Sequence, residues 1–274
     1  MMFAFSCNFI NPEEKIPTYI KVDKLHVAVN SGQGSASNKI KDVWVFMDGN
    51  MVGVYQLPAL FPVIGDEGRH SFLFSPGILD NGIDNTHVIY RLMKGETKEL
   101  SLINGSTISA DPVTINYFPA DEFPWMEDFE NQSQLSLVTS DTTNPLLYET
   151  HASELFEGVA SGIISINSSH NAFRIEMFEA VTLPITSVTY LEMNYRCDYP
   201  FYVGLSGEKS TGNIDKYVVA INPSAEWNKI YVNLGDAVRS LNPALGYKVF
   251  MSSSLSEGAT SGTFRFDNLK LVHN

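Results

Sequence analysis

The sequence has little of what several common classes of protein require. It contains two cysteines in 274 residues, too few for a disulfide framework. Its 18 basic residues are outnumbered by 31 acidic ones, which argues against the clustered cations that neutralise a nucleic-acid backbone. No apolar run reaches the roughly 18–20 residues of a membrane-spanning helix. With 44% hydrophobic and 18% charged residues, the composition is that of a folded chain.

Catalytic motifs are also missing. There is no His-Glu-x-x-His pair for a zinc protease, and the six histidines have no short metal-ligand spacing. The stretch 158–162 has the wrong spacing for a Gly-x-Ser-x-Gly nucleophile elbow. We therefore predict that the protein is not an enzyme. A hydrolase that uses two of the many carboxylates is the catalytic alternative.

The acidic residues are unevenly distributed. Residues 1–120 carry a net charge of −3, whereas residues 121–274 carry −10. The change begins in the stretch 121–130, which has five carboxylates and no basic group, with Pro119 just before it and Pro124 within it. Such a shift is typical of a domain boundary. We predict an N-terminal tether over 1–16, a first domain over 17–120 and a second over 121–274.

Period-two alternation of apolar and polar residues recurs along the chain. It is clear over 19–29, and Asp48-Gly49 is a strong hairpin signal. The final run, 263–272, alternates with one irregularity near Asp267, which predicts a β-bulge. The only predicted helix is a short one over 234–241. The pattern predicts an all-β protein with two antiparallel β-sandwich domains.

The first residues resemble the end of a bacterial lipoprotein signal peptide, because an apolar stretch and a small residue precede Cys7. The match lacks the basic region and most of the apolar region, and Ala4 stands where the family prefers leucine. The resemblance implies a lipidated Cys7 and a protein anchored to the outer membrane, on its surface or periplasmic face. The alternative is a buried N-terminal strand with an ordinary reduced cysteine.

The predicted first domain resembles a cell-envelope lipoprotein family of Bacteroidetes. The resemblance lies in residues 42–49, 53–58 and 68–70, whose turn, glycine, proline and histidine order is also similar to that of PEGA-type or Ig-like sandwiches. It implies an extracytoplasmic module without catalytic activity.

The predicted second domain resembles the galactose-binding-like jelly rolls of carbohydrate-binding modules. Four short stretches carry this resemblance: 127–130, 161–162, 226–229 and 266–269. It implies that the second sandwich is a jelly roll.

In that family a structural calcium ion often ties the first strand to the last. The matching oxygens here would come from Asp128, Glu130 and Asp267. The alternative is a solvated acidic face, with Asp267 forming a turn hydrogen bond.

The resemblance also implies glycan binding by exposed aromatic rings beside polar groups. The candidate residues are Tyr195, Asp198, Tyr199, Tyr202 and Trp227. Because alternation sends every second residue inward, several of the aromatic residues must be core. We predict a non-catalytic envelope lipoprotein whose jelly roll binds glycan, accessory to polysaccharide capture. The alternative is a structural or adhesive surface protein that makes protein–protein contacts, with the aromatic residues near Tyr199 buried.

Overall fold

The computed structural model describes residues 14–140 and 143–274, so the lipidation prediction at Cys7 lies outside the described residues. The described part is almost entirely β. The strands of the first half are β1 (Thr18–Val22), β2 (Leu25–Ala28), β3 (Asp42–Met47), β4 (Asn50–Gln56), β5 (Ala59–Val63), β6 (Gly68–Leu79), β7 (His87–Ile89), β8 (Met93–Lys94), β9 (Glu96–Leu102), β10 (Thr107–Ser109) and β11 (Val113–Tyr117).

The second half continues the same pattern. Its elements are β12 (Glu122–Glu127), β13 (Leu137–Thr139), β14 (Leu147–Glu149), β15 (Ser161–Asn167), β16 (Ala172–Met177), β17 (Thr189–Cys197), β18 (Phe201–Gly207), β19 (Ile214–Ile221), β20 (Ser224–Asn233), α1 (Gly235–Leu241), β21 (Tyr247–Ser254) and β22 (Ser261–His273). The all-β prediction is confirmed, and the one predicted helix forms α1. No helix among the described residues is long and apolar enough to cross a membrane.

The chain forms two compact units that are not contiguous in sequence. Unit 1 contains the residues up to His26 together with Lys41–Pro76 and Gly95–Ile115. Unit 2 contains Val27–Ile40, Gly77–Lys94 and Asn116–Asn274. The single domain boundary near residue 120 stays a prediction. The compact units divide the chain differently, because two segments of its first half, Val27–Ile40 and Gly77–Lys94, belong to unit 2.

Two of the small sheets formed by the described residues lie mainly in unit 1. One has the strand order β10-β1-β5, and the other contains β4, β3, β6 and β9. Strands β3 and β4 are joined at Asp48 and Gly49, which both have positive φ (51° and 80°), as a type I′ hairpin turn requires. The pairs β1–β5, β3–β4 and β6–β9 are antiparallel, whereas β1–β10 is parallel over three residues.

Unit 2 is a β-sandwich of two antiparallel sheets. We call the sheet β13-β16-β21-β18-β19 the front sheet, and the sheet β14-β15-β22-β17-β20, with β12 beside β22, the back sheet. From β15 to β22 the chain passes repeatedly from one sheet to the other, which is jelly-roll connectivity. Side chains from both sheets form one core, in which Phe201 contacts Phe264 and Phe266 edge-on.

The predicted bulge lies in the last strand. On β17, Glu192 pairs with Lys270 and Asn194 pairs with Asp267, so β22 has one extra residue between these pairs. Asn268 has a φ of 48° at this point. The irregularity lets Phe266 and Leu269 both point into the core.

A buried charged network lies on the outer side of the back sheet. The carboxylate of Glu192 accepts hydrogen bonds from the hydroxyls of Tyr90 and Tyr117, each at 2.6 Å, and lies 3.0 Å from Lys229 Nζ. Burial opposes ionisation of Glu192, but Lys229 and Lys270 hold its pKa below the ordinary value. Burial lowers the pKa of Lys270 to about 8.

Segment 27–40 covers this network within unit 2. Lys270 Nζ donates to the carbonyl oxygen of Ser35 at 3.0 Å, and Ser37 Oγ donates to Asn194 Oδ1 at 2.6 Å. Gly34 has a φ of 69° and comes close to the Lys270 side chain. Segment 27–40 therefore supplies hydrogen-bond partners to buried polar groups on this face of the back sheet.

Candidate functional site

The outer side of the front sheet presents side chains whose positions follow from strand register. Residues directly opposite one another on neighbouring antiparallel strands point to the same side of the sheet. Arg174 on β16 lies opposite Ser252 on β21, and Ser252 lies opposite Tyr202 on β18. The Ser252 hydroxyl therefore lies between the Arg174 guanidinium and the Tyr202 ring.

The next row of the same face contains an aromatic cluster. Phe250 on β21 lies opposite Gly204 on β18, which lies opposite Tyr217 on β19. A Cβ atom at Gly204 would lie 2.2 Å from Phe250 Cζ, so glycine lets the ring lie against the sheet. The Tyr217 ring meets those of Phe250 and Tyr202 edge-on, at centroid distances of 5.2 and 5.6 Å. Phe250 is buried, whereas Tyr202 is 49% and Tyr217 56% exposed.

Arg174 lies over this cluster. Its Cζ atom is 3.9 Å from the centroid of the Phe250 ring, a cation–π contact. The guanidinium also pairs with Glu176 at 2.8 Å and with Asp215 at 2.7 Å. The Phe250 ring and the two carboxylates together hold the Arg174 side chain in one position.

A depression of about 470 Å³ opens on this face. It is lined by Ala172, Phe173, Arg174, Tyr202, Tyr217, Ser252, Ser253 and Ser254. The lining combines exposed aromatic rings with serine hydroxyls and a guanidinium. Such a surface can stack against an apolar ring face while hydrogen bonding to polar groups at the ring's edge.

The structure separates three of the aromatic residues predicted to bind glycan. Tyr202 lies at the depression. Tyr195 is 6% exposed and points into the core from the back sheet, so it presents no open ring. Trp227 is half-buried on the outer side of the back sheet, where its Nε1 donates to the carbonyl oxygen of Glu154.

The other two predicted residues hold loops in place. Asp198 accepts a hydrogen bond from the backbone N–H of Thr263 at 2.6 Å. Tyr199 is half-buried, and its hydroxyl is 2.8 Å from Ser256 Oγ. The five predicted residues therefore do not form one site.

Three important residues on this face of the front sheet were not predicted from the sequence. Tyr217, Phe250 and Arg174 lie in β19, β21 and β16, where alternation places them on the side opposite the core residues. The sequence carries no signal that brings β16, β21, β18 and β19 side by side in that order.

A second depression, of about 340 Å³, lies on the back sheet near Asp198. Its two arginines, Arg196 and Arg265, both pair with Glu154. Arg265 also lies 3.4 Å from Glu149. The charges here neutralise one another, and among the residues that the structure describes no aromatic ring lines this depression.

The three residues predicted to bind calcium each have hydrogen-bond partners within the protein. Asp128 accepts from the N–H of Glu130, and Glu130 accepts from the N–H of Val159. Asp267 accepts from Ser161 Oγ at 2.6 Å and from its neighbour's N–H. Within 14–140 and 143–274, no group of three or more His, Cys, Asp or Glu side chains is placed to hold a metal ion. Calcium binding therefore stays a prediction.

We expect stability to depend on pH through Asp267. Burial raises its pKa to about 7, so the folded state favours the neutral acid. The unfolded chain then binds fewer protons between about pH 4 and pH 7, and the free energy of unfolding decreases as pH rises through that window. Asp267→Asn should make this decrease smaller, as measured by urea unfolding across the window.

The exposed Asp128 is the matched control for this titration, since Asp128→Asn should keep the decrease. Parallel pH profiles for wild type and Asp267→Asn would contradict the assignment. The same titration in calcium chloride and in EDTA tests the calcium prediction, because an ion bound to the carboxylate would flatten the profile.

The hydrolase alternative requires paired carboxylates in a cleft, with at least one raised pKa. Among the described residues, burial raises the pKa of Asp121 to about 6 and that of Asp267 to about 7. Neither of these residues lines the front-sheet or the back-sheet depression.

No protein-family model matches the sequence, and a search of curated proteins finds no match. Among solved structures, the chain is similar to the C-terminal family 22 carbohydrate-binding module of Clostridium thermocellum Xyn10B, with 11% identity and a TM-score of 0.38 over 54% of this chain and 92% of that one. A family 30 carbohydrate-binding module of a cellulosomal cellulase from the same organism matches with 12% identity and a TM-score of 0.41, over 55% and 96% of the two chains. At these identities no binding residue is transferred to this chain.

Proposed function

We propose that the protein is a non-catalytic glycan-binding protein and that the front-sheet depression is its binding site. The observation that carries this proposal is the pair of exposed rings, Tyr202 and Tyr217, at the edge of a depression also lined by Arg174, Ser252 and Ser254. Tyrosines that are about half exposed on a rigid sheet offer stacking area that is already ordered, so binding costs little side-chain entropy.

The test is retention on native gels that contain soluble polysaccharides. We expect the wild-type protein to be retarded by at least one polysaccharide. Tyr202→Ala should weaken that binding about tenfold, which corresponds to roughly 1.4 kcal/mol, because the ring forms one wall of the depression.

Tyr19→Ala is the matched control, since Tyr19 is a 39% exposed tyrosine in unit 1. It should leave retention unchanged. Equal losses for both variants, or no retention on any polysaccharide, would contradict the proposal. The second result would leave the structural or adhesive role as the alternative.

We also propose that the protein is lipid-anchored in the cell envelope and accessory to polysaccharide capture. Support comes from the sequence resemblance around Cys7. We expect expression in a lipoprotein-processing host to give a product that labels with palmitate and partitions into detergent. Cys7→Ser should abolish both, and an unchanged Cys7→Ser product would contradict the anchor.

A further inference from the structure

Arg174 is the one cation among the described residues that line the front-sheet depression, and it is held by two carboxylates. A guanidinium has five N–H donors. Nε and Nη2 donate to Glu176 Oε2 at 3.0 and 2.8 Å. Nη1 donates to Asp215 Oδ2 at 2.7 Å, and Nη2 also donates to Asp215 Oδ1 at 3.2 Å. Four of the five donors are therefore used within the protein.

This pairing decides what Arg174 can offer a ligand. An arginine binds a carboxylate or a sulfate most strongly through two parallel N–H···O hydrogen bonds. Here both edges of the guanidinium that could form such a fork already face Glu176 or Asp215. A single N–H is left for a hydroxyl or a ring oxygen.

The neighbouring lysines do not add a free positive charge to the depression. Lys248 lies on the same face, but its Nζ donates to the carbonyl oxygen of Phe178 at 2.8 Å and lies 3.5 Å from Glu208. Lys216 stands between Asp215 and Tyr217 on β19, so alternation directs it to the other side of the strand. One guanidinium faces two carboxylates, and the local charge is negative.

We infer that the glycan bound at this face is neutral and that uronate-bearing and sulfated polysaccharides are excluded. The inference rests on the proposed function. An anionic sugar would lie beside Glu176 and Asp215 without a cationic fork to receive it, whereas a neutral sugar can donate its hydroxyls to these carboxylates. The formal net charge of −13 on the chain also repels anionic polysaccharides at low ionic strength.

The test compares two sets of affinity gels at low and moderate salt. The neutral set contains galactomannan, xyloglucan and mixed-linkage β-glucan, and the anionic set contains polygalacturonate, alginate and dextran sulfate. We expect wild-type protein to be retained by one or more neutral polysaccharides and by none of the anionic ones. The double variant Glu176→Gln/Asp215→Asn frees the guanidinium, and we expect it to gain at least tenfold in retention on an anionic gel, with the gain lost in salt.

The double variant Glu226→Gln/Glu257→Gln is the matched control. It changes net charge by the same amount, but these two exposed carboxylates form no ion pair among the described residues. The control therefore frees no arginine and should gain no such retention. Wild-type retention by an anionic polysaccharide would overturn the inference and leave the proposed function standing. Equal gains for the two double variants would also overturn it, since net charge would then explain the effect. Retention by neither set would instead contradict the proposed function.

Discussion

Glu192→Ala is expected to lower the free energy of unfolding by about 3–5 kcal/mol, the usual cost of removing one partner from a buried ion pair. Glu192 is fully buried, and it is the common partner of Lys229, Tyr90 and Tyr117. Without its carboxylate, the Lys229 ammonium is left buried with no carboxylate partner, and two buried hydroxyls lose their acceptor. Urea unfolding followed by tryptophan fluorescence measures the loss.

Two further variants make this prediction specific. Glu226→Ala removes an exposed carboxylate from β20 and should change the free energy of unfolding by less than about 0.5 kcal/mol. The double variant Glu192→Leu/Lys229→Met removes both charges of the pair and should recover part of the stability lost with Glu192 alone. A loss below about 1 kcal/mol for Glu192→Ala would show that the network is solvated.

Phe250→Ala is expected to remove both stability and glycan retention. Loss of a buried phenylalanine costs about 3–5 kcal/mol. The Phe250 ring also supports the guanidinium of Arg174 on one side and the ring of Tyr217 on another. Without it, both residues lose the surface that positions them, and we expect retention on the polysaccharide gels to fall at least tenfold.

The control for this variant is a phenylalanine of the core. Phe266 is equally buried but packs between the two sheets, so Phe266→Ala should cost similar stability and keep glycan binding at temperatures where the protein is folded. Phe250→Leu should retain most of the stability. Parallel losses of binding in Phe250→Ala and Phe266→Ala would contradict a specific role for Phe250.

Much of the fold was predictable from local patterns. The turn at Asp48-Gly49 and the short helix before Asn242 both form where the sequence places them. The bulge beside Asp267 was also predictable, because strict alternation there would send Leu269 to the side opposite Phe266. These features depend on residues close together in the chain, so their physical causes can be read locally.

The candidate site was predicted only in part. Of the residues proposed for glycan binding, Tyr202 lies at the front-sheet depression, whereas Tyr195 points into the core. The stretch 195–202 is dense in aromatic and polar residues, but it belongs to β17, a turn and β18, which lie in different sheets. Density in the sequence therefore did not correspond to proximity in space.

The sequence by itself determined the strands, their turns and the side of each strand that is apolar, because period two depends only on neighbouring residues. Tertiary structure alone decided that Arg174, Phe250 and Tyr217 meet, since pairing between β16, β21, β18 and β19 joins segments far apart in the chain. Register then aligned Gly204 with Phe250 and left room for the ring. That alignment depends on long-range hydrogen bonds and core packing, which no local pattern encodes.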